Sequence, residues 1–164
     1  TMIESKFVGH SGVEYIFQYH EVDTFEHLDE NKCTQTYSVL FVDDEMVIVH
    51  NGKKNTWGLP GGTIEEGETY METLVRETVE EANVRIDYAK PVGYQKVIDT
   101  RDGSFVYQLR YVSRGTKLGE FESDPAGSIS KVAYIDAGDV KQYFDWGVIG
   151  DAILHRAQIL KDTI

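Results

Sequence analysis

Glu77, Glu80 and Glu81 crowd three carboxylates into a short stretch, with Arg76 directly before them and Glu68, Gly61 and Gly62 further upstream. On a helix turning about 100° per residue, the three glutamates fall on one continuous arc. Like charges at this spacing destabilise an exposed helix by roughly a few tenths of a kcal/mol per pair, so such a cluster calls for compensation. Hard oxygen ligands are what Mg²⁺ or Mn²⁺ requires, and an ion placed there would relieve the repulsion and clamp phosphate oxygens. Arg76 stands one turn before Glu80, spaced for an i,i+4 ion pair that orients the carboxylate. The preceding glycines let backbone groups approach an ion or phosphates closely. The other reading of several helical glutamates is a solvated acidic face.

These side chains need a helix with a fixed start, a core-facing stripe and a stop. Thr69 and Glu72 form a capping box that predicts a helix from Tyr70. Met71, Leu74, Val75, Thr78, Val79 and Ala82 recur at the spacing of a core-facing stripe, and Asn83 suits a left-handed helix stop. Residues 57–62, with Pro60 and three glycines, read as a strand end entering a glycine turn. Upstream, aromatic alternation in 6–22 predicts an N-terminal β-hairpin, within residues 1–22. Residues 23–36 read as an acidic loop or linker, and 37–49, interrupted by Asp43, Asp44 and Glu45, as a second hairpin. Downstream the pattern predicts strands at 86–97, 105–113 and 131–135, an acidic loop through Asp124, and helices at 137–144 and 148–161. This order suits a mixed sheet covered by helices on its faces.

At 164 residues with 41% hydrophobic and 27% charged content, the chain is expected to form one globular domain, 1–164. A formal charge of -12 disfavours a nucleic-acid polymer as partner, since such partners are met by basic surfaces. It also means that phosphates must be handled through metal ions. No apolar run is long enough to span a bilayer and no signal-peptide pattern is present, so a cytoplasmic protein without membrane contact is expected. Cys33 is the only cysteine, which rules out an intrachain disulfide. Thr1, ahead of Met2, is given no functional weight.

Gly62, Glu68, Arg76, Glu77, Glu80, Glu81 and the aliphatic Val84 follow one another at the spacing of the Nudix box, and residues 62–84 resemble that motif. Thr78 stands where an aliphatic residue is usual and Asn83 where glycine is usual. At roughly 6–7% usage per residue type, the match of the six fixed residues would arise by chance on the order of once in 10⁵ chains. The resemblance implies a Nudix-type α/β/α sandwich with a mixed β-sheet and one central catalytic loop-helix. It further implies that Glu77, Glu80 and Glu81 bind Mg²⁺ or Mn²⁺, joined by the Gly61 carbonyl, while Glu68 and Arg76 orient them. The reaction implied is attack of water on phosphorus in a nucleoside diphosphate linked to another group. The resemblance offers Glu77 as general base, or an acid on a later loop, for which Glu120, Glu122 and Asp124 are the candidates.

Substrate choice lies outside the box, in aromatics that stack on a base and polar groups that read its edge. Trp57, Tyr94, Tyr107 and Trp146 are available, with Gly61, Gly62 and Trp57 the named substrate-binding candidates; each aromatic also fits a core role. His10, His20, His27, His50 and His155 show no metal-ligand spacing. The expected substrate is a nucleoside triphosphate, oxidised forms included, ahead of a nucleotide sugar of the ADP-ribose type. A nucleotide-sensing module without catalysis is the rival, disfavoured by the full set of box carboxylates. A monomer or homodimer is expected.

Overall fold

Every position from Val39 to Val42 of strand β3 (Cys33–Val42) is apolar and buried, the mark of a strand covered on both faces. Val39 and Phe41 pack with Met46 and Ile48 of β4 (Glu45–Asn51) against Ile149, Ile153 and Ala157 of helix α2 (Gly147–Lys161). On the opposite face Leu40 and Val42 join Val47 and Val49, with Ala82 of helix α1 (Tyr70–Ala82). Side-chain alternation thus sends successive residues to two cores, one under each helix. The result is the expected α/β/α sandwich. The structure, a computed structural model, describes residues 2–164; Thr1 lies outside them.

Among the described residues the strands form one mixed sheet of nine. From one edge run β1 (Met2–Val8), β2 (Glu14–Glu21), β7 (Val84–Asp99), β8 (Phe105–Lys117), β3, β4 and β5 (Thr56–Gly58). β6 (Gly61–Thr63) pairs with β3, and β9 (Ile129–Ile135) pairs with β4. β3 and β8 run parallel, placing Tyr37 beside Arg110, and the remaining pairings are antiparallel. β3 pairs with β4 only at the far end, from Leu40 to Val42. Nearer the start of β3, its neighbour on that side is β6, with Gly61 opposite Tyr37.

Four expectations change. Residues 23–36, expected as a loop or linker, are a loop only up to Asp29, and that loop is packed down: Phe25 and Leu28 are buried with Leu74, Leu109 and Tyr111, Glu30–Lys32 form a turn of 3-10 helix, and β3 already begins at Cys33. Two large apolar side chains in an acidic stretch are enough to strap it onto the core. A strand does end at Gly58, but Gly61 and Gly62 are not an open turn, since they pair with β3. The helix expected at 137–144 is shorter and of the 3-10 kind, Ala137–Gln142, capped by Asp136 through Gly138 N. The core stripe of α1 is narrower than its sequence pattern, because Thr73, Leu74, Thr78 and Ala82 are buried whereas Val75 and Val79 are exposed at its edges.

Candidate active site

Helix α1 begins with both arms of the capping box made: Glu72 N donates to Thr69 Oγ1 at 3.1 Å, and Thr69 N donates to Glu72 Oε1 at 3.0 Å. It ends at Asn83, in the left-handed conformation with φ 56°, whose N–H donates to Val79 O at 3.0 Å. Leu74, Thr78 and Ala82 anchor the helix to the sheet, so the glutamate face is fixed relative to β6. Leu74 is fully buried, a contribution of about 2 kcal/mol from apolar burial alone.

Arg76 organises the carboxylates. Its Nε donates to Glu68 Oε2 at 2.8 Å and its Nη2 to Glu68 Oε1 at 2.9 Å, a two-pronged grip. Its Nη1 reaches Glu77 Oε1 at 3.0 Å and Glu80 Oε2 at 3.3 Å. Glu68 also accepts from Thr73 Oγ1 at 2.9 Å and Glu65 N at 3.1 Å, and its hydrogen bonds to Arg76 hold its carboxyl down at about 2. Glu68 is therefore a fixed anion that positions Arg76.

Glu81 lies on the other side of the cluster, its Oε1 accepting from Gly61 N at 2.9 Å. Burial pushes its carboxyl up to about 8, with the charges of Glu77, Asp124 and Glu80 adding to the effect. Glu77 is also raised, first by burial, against the lowering effect of Arg76. Glu77 packs directly on Gly62, where an added Cβ would sit 2.7 Å from its Cδ. Gly61 has φ 149° and passes so close to β3 that a Cβ would lie 2.6 Å from Tyr37 Cα. Both glycines are required by close approach, one to a carboxylate and one to a neighbouring strand.

A divalent cation suits this donor set. Its ligands would be hard oxygens, and Glu81, half-buried beside two further box acids, has no cationic partner among the described residues. Among those residues no three acidic, histidine or cysteine side chains are already arranged as a metal cage, because Glu77 and Glu80 both turn to Arg76 Nη1. The Gly61 group engaged here is its N–H, which donates to Glu81.

The loop acids separate. Glu120 is exposed and paired with Lys117 Nζ at 2.6 Å. Asp124 is buried, its carboxylate accepting from Ala126 N, Ser128 N and Ile129 N at 3.0, 3.2 and 3.0 Å. Its charge is felt at Glu77 and Glu81, but its oxygens are committed to shaping the loop. Glu122 lines a groove with Val79, Glu80 and Asn83. Asn83 Nδ2 ties the helix stop to this loop by donating to Glu120 O at 3.3 Å.

From Glu81 and Gly61 a cleft of about 590 Å³ opens past Tyr37, Trp57, Arg110 and Trp146. Trp57 and Trp146 therefore stand in the candidate substrate cleft. Tyr94 and Tyr107 do not line it: they pack edge-on to each other at 5.2 Å, in the cluster around Leu74 and Leu109. His50 is a structural histidine, bonded to Ser130 Oγ at 2.7 Å and Asn55 Oδ1 at 3.0 Å. The cleft residue that the sequence pattern missed is Arg110, a lone cation in the strand run Leu109–Tyr111; an unbalanced charge inside an apolar strand was the available signal.

A mixed sheet between two helices is the fold shared with solved structures of Nudix proteins. A pyrophosphohydrolase from Bacillus subtilis, BsRppH, superposes with a TM-score of 0.69 over 97% of each chain at 15% identity. The NUDIX domain of Shewanella oneidensis NrtR, cocrystallised with ADP ribose, gives 0.59 over 81% of this chain and 94% of its own at 20% identity. An ADP-ribose pyrophosphatase from Streptococcus suis gives 0.54 over 76% and 89% at 17% identity. No curated protein matches the sequence significantly. The model of the NUDIX domain family matches residues 14–156. The chain belongs to the Nudix family, hydrolases of phosphoanhydride bonds in nucleotide-type small molecules that generally use a divalent metal.

Proposed function

We propose that this chain is a divalent-metal-dependent pyrophosphohydrolase of a nucleoside triphosphate, oxidised forms included. The observation that carries this reading is the Arg76-organised set of Glu68, Glu77 and Glu80, with Glu81 lining an aromatic-walled cleft. Glu77, Glu80 and Glu81, together with the Gly61 carbonyl, would hold Mg²⁺ or Mn²⁺. When bound, the ion supplies charge neutralisation at the phosphoryl oxygens and lowers the pKa of the attacking water.

The chain's own groups do the rest. A water oxygen bonds to phosphorus as the bridging phosphoanhydride bond breaks, and the leaving group, pyrophosphate or nucleoside monophosphate according to which phosphorus is attacked, departs with that electron pair. Glu77 takes the water's proton on its carboxylate, held in place by Arg76 Nη1 and by its packing on Gly62. Two of the three loop acids support this assignment by their engagement elsewhere, Glu120 with Lys117 and Asp124 with three backbone N–H groups, while Glu122 stays the alternative base in the groove beside Glu80. Trp57 and Trp146 offer stacking surfaces for the base. A nucleotide sugar of the ADP-ribose type is the second reading, supported by the neighbour cocrystallised with ADP ribose.

The test is a hydrolysis screen over nucleoside triphosphates, dinucleoside polyphosphates and nucleotide sugars with Mg²⁺ or Mn²⁺, reading released phosphate and pyrophosphate. Turnover of a nucleoside triphosphate that excess chelator abolishes is the expected result. Full turnover in chelator would overturn the metal mechanism, and exclusive turnover of nucleotide sugars would overturn the substrate class.

A further inference from the structure

Arg110 is only 6% exposed, yet no acidic side chain neutralises it among the described residues. Its Nη1 donates to Leu109 O and its Nη2 to Gln108 Oε1, both at 3.2 Å, and its Nε has no partner. The guanidinium stacks over the Tyr37 ring at 5.0 Å, and burial lowers its affinity for its proton to a pKa of about 10. A buried cation without a counter-charge is costly to maintain, which marks such a site as one completed by a ligand rich in hydrogen-bond acceptors.

The position of Arg110 says which part of a nucleotide it meets. With Phe7 and Trp146 it lines both the cleft that ends at Glu81 and an adjoining recess floored by Gln95 and Ile153, which does not include Glu81. Tyr37 has Arg110 beside it on one neighbouring strand and Gly61, whose N–H holds Glu81, beside it on the other, so it stands between them. A nucleotide with its phosphates at Glu81 therefore directs its base toward Arg110. Trp146, Phe7 and the stacked Phe17 supply flat walls there. Gln108 Oε1 already accepts from Gln95 Nε2 at 3.1 Å and from Arg110, which leaves its amide N–H groups as further donors.

We infer that Arg110 is the specificity-determining residue of this enzyme and that it selects 6-oxopurine nucleotides, by donating to O6 and N7 of the base. Resting on the proposed nucleotide hydrolysis, this deepens it by naming the base. A guanidinium fork matches the adjacent O6 and N7 acceptors of guanine, whereas adenine presents an N6 amino donor at the same edge.

The experiment measures kcat/KM for GTP, ITP and ATP in saturating Mg²⁺, for the wild type, Arg110→Met and Arg110→Lys. The wild type is expected to prefer GTP and ITP equally over ATP by roughly 10- to 100-fold, the range of one bidentate base contact. Arg110→Met should bring the three nucleotides within about threefold of each other, and Arg110→Lys, which lacks the fork, should lose most of the preference. Equal use of GTP and ATP by the wild type overturns the inference even if no variant folds. So does an Arg110→Met enzyme in which all three rates fall together, the signature of a phosphate contact or a structural role. If no nucleotide is hydrolysed, the proposed function fails instead. Calorimetric binding of the α,β-methylene analogues of GTP and ATP then decides the role of Arg110 by the same ratio.

Discussion

Arg76 grips Glu68 through two parallel hydrogen bonds, at 2.8 and 2.9 Å, and turns its remaining Nη1 toward Glu77 and Glu80. One guanidinium thereby fixes three carboxylates that would otherwise repel one another. Lysine carries the same charge but cannot serve the two sides at once. Arg76→Lys is expected to fold normally and lose activity by roughly 10- to 100-fold, the scale of misplaced catalytic groups. Initial rates and far-UV melts check it; wild-type turnover would show that the grip is dispensable.

Gly62→Ala sets a methyl group 2.7 Å from Glu77 Cδ, so the carboxylate must swing away from its place. Because the obstructed atoms are the end of a flexible side chain, the fold should tolerate the change, with less than about 1 kcal/mol lost. Turnover should fall by roughly a hundredfold. Paired denaturant melts and rates separate the two effects, and unchanged turnover would contradict the placement of Glu77.

Thr78 is fully buried on α1, and its hydroxyl has no hydrogen-bond partner among the described residues. Thr78→Val replaces that hydroxyl with a methyl group in an apolar setting. A gain of about 1 kcal/mol in stability is expected, with activity unchanged. Chemical denaturation measures it, and a loss of stability would reveal a partner for the hydroxyl.

Asn83→Gly exchanges a strained left-handed residue for one that adopts φ 56° freely, but removes the 3.3 Å bond from Nδ2 to Glu120 O. The backbone bond from Leu118 N to Asn83 O at 2.9 Å stays. The two effects are each small and opposed, so stability should change by less than about 1 kcal/mol and activity should persist. Thermal melting and turnover test this. A larger loss would show that the tie to the 118–120 segment organises the loop.

The limits of helix α1 were legible because caps are local chemistry: Thr69, Glu72 and Asn83 satisfy or stop the helix through neighbours a few positions away. The two-faced burial of β3 and β4 follows from continuous apolar runs for the same reason. What the sequence hid depends on distant pairing. The parallel register that sets Arg110 beside Tyr37 joins strands far apart in the chain, and no local pattern encodes it. The exposure of Val79 depends on where the loop carrying Glu120 and Phe121 comes to rest, and the strap at Phe25 and Leu28 on a pocket built by α1 and β8. Within the site, the cluster of glutamates could be read from spacing, but the division of labour between Arg76 and Gly61 N in holding them could not.

Glu81→Gln is the most direct test of the central claim, that the box carboxylates act as charge-bearing ligands in phosphoanhydride hydrolysis. Glutamine keeps the shape of the side chain and its acceptor for Gly61 N while removing the group that can ionise to hold a cation. Initial rates in saturating Mg²⁺ and denaturant melts in chelator are measured on the wild type and the variant together. A fall in turnover of at least roughly a hundredfold is expected, the scale of a lost transition-state charge stabiliser, with metal-free stability equal or higher, because a carboxyl raised by burial from 4.5 to about 8 costs the wild type stability as the pH rises through that window and glutamine does not. A variant that keeps more than about half of wild-type turnover, far above that hundredfold loss, would contradict it.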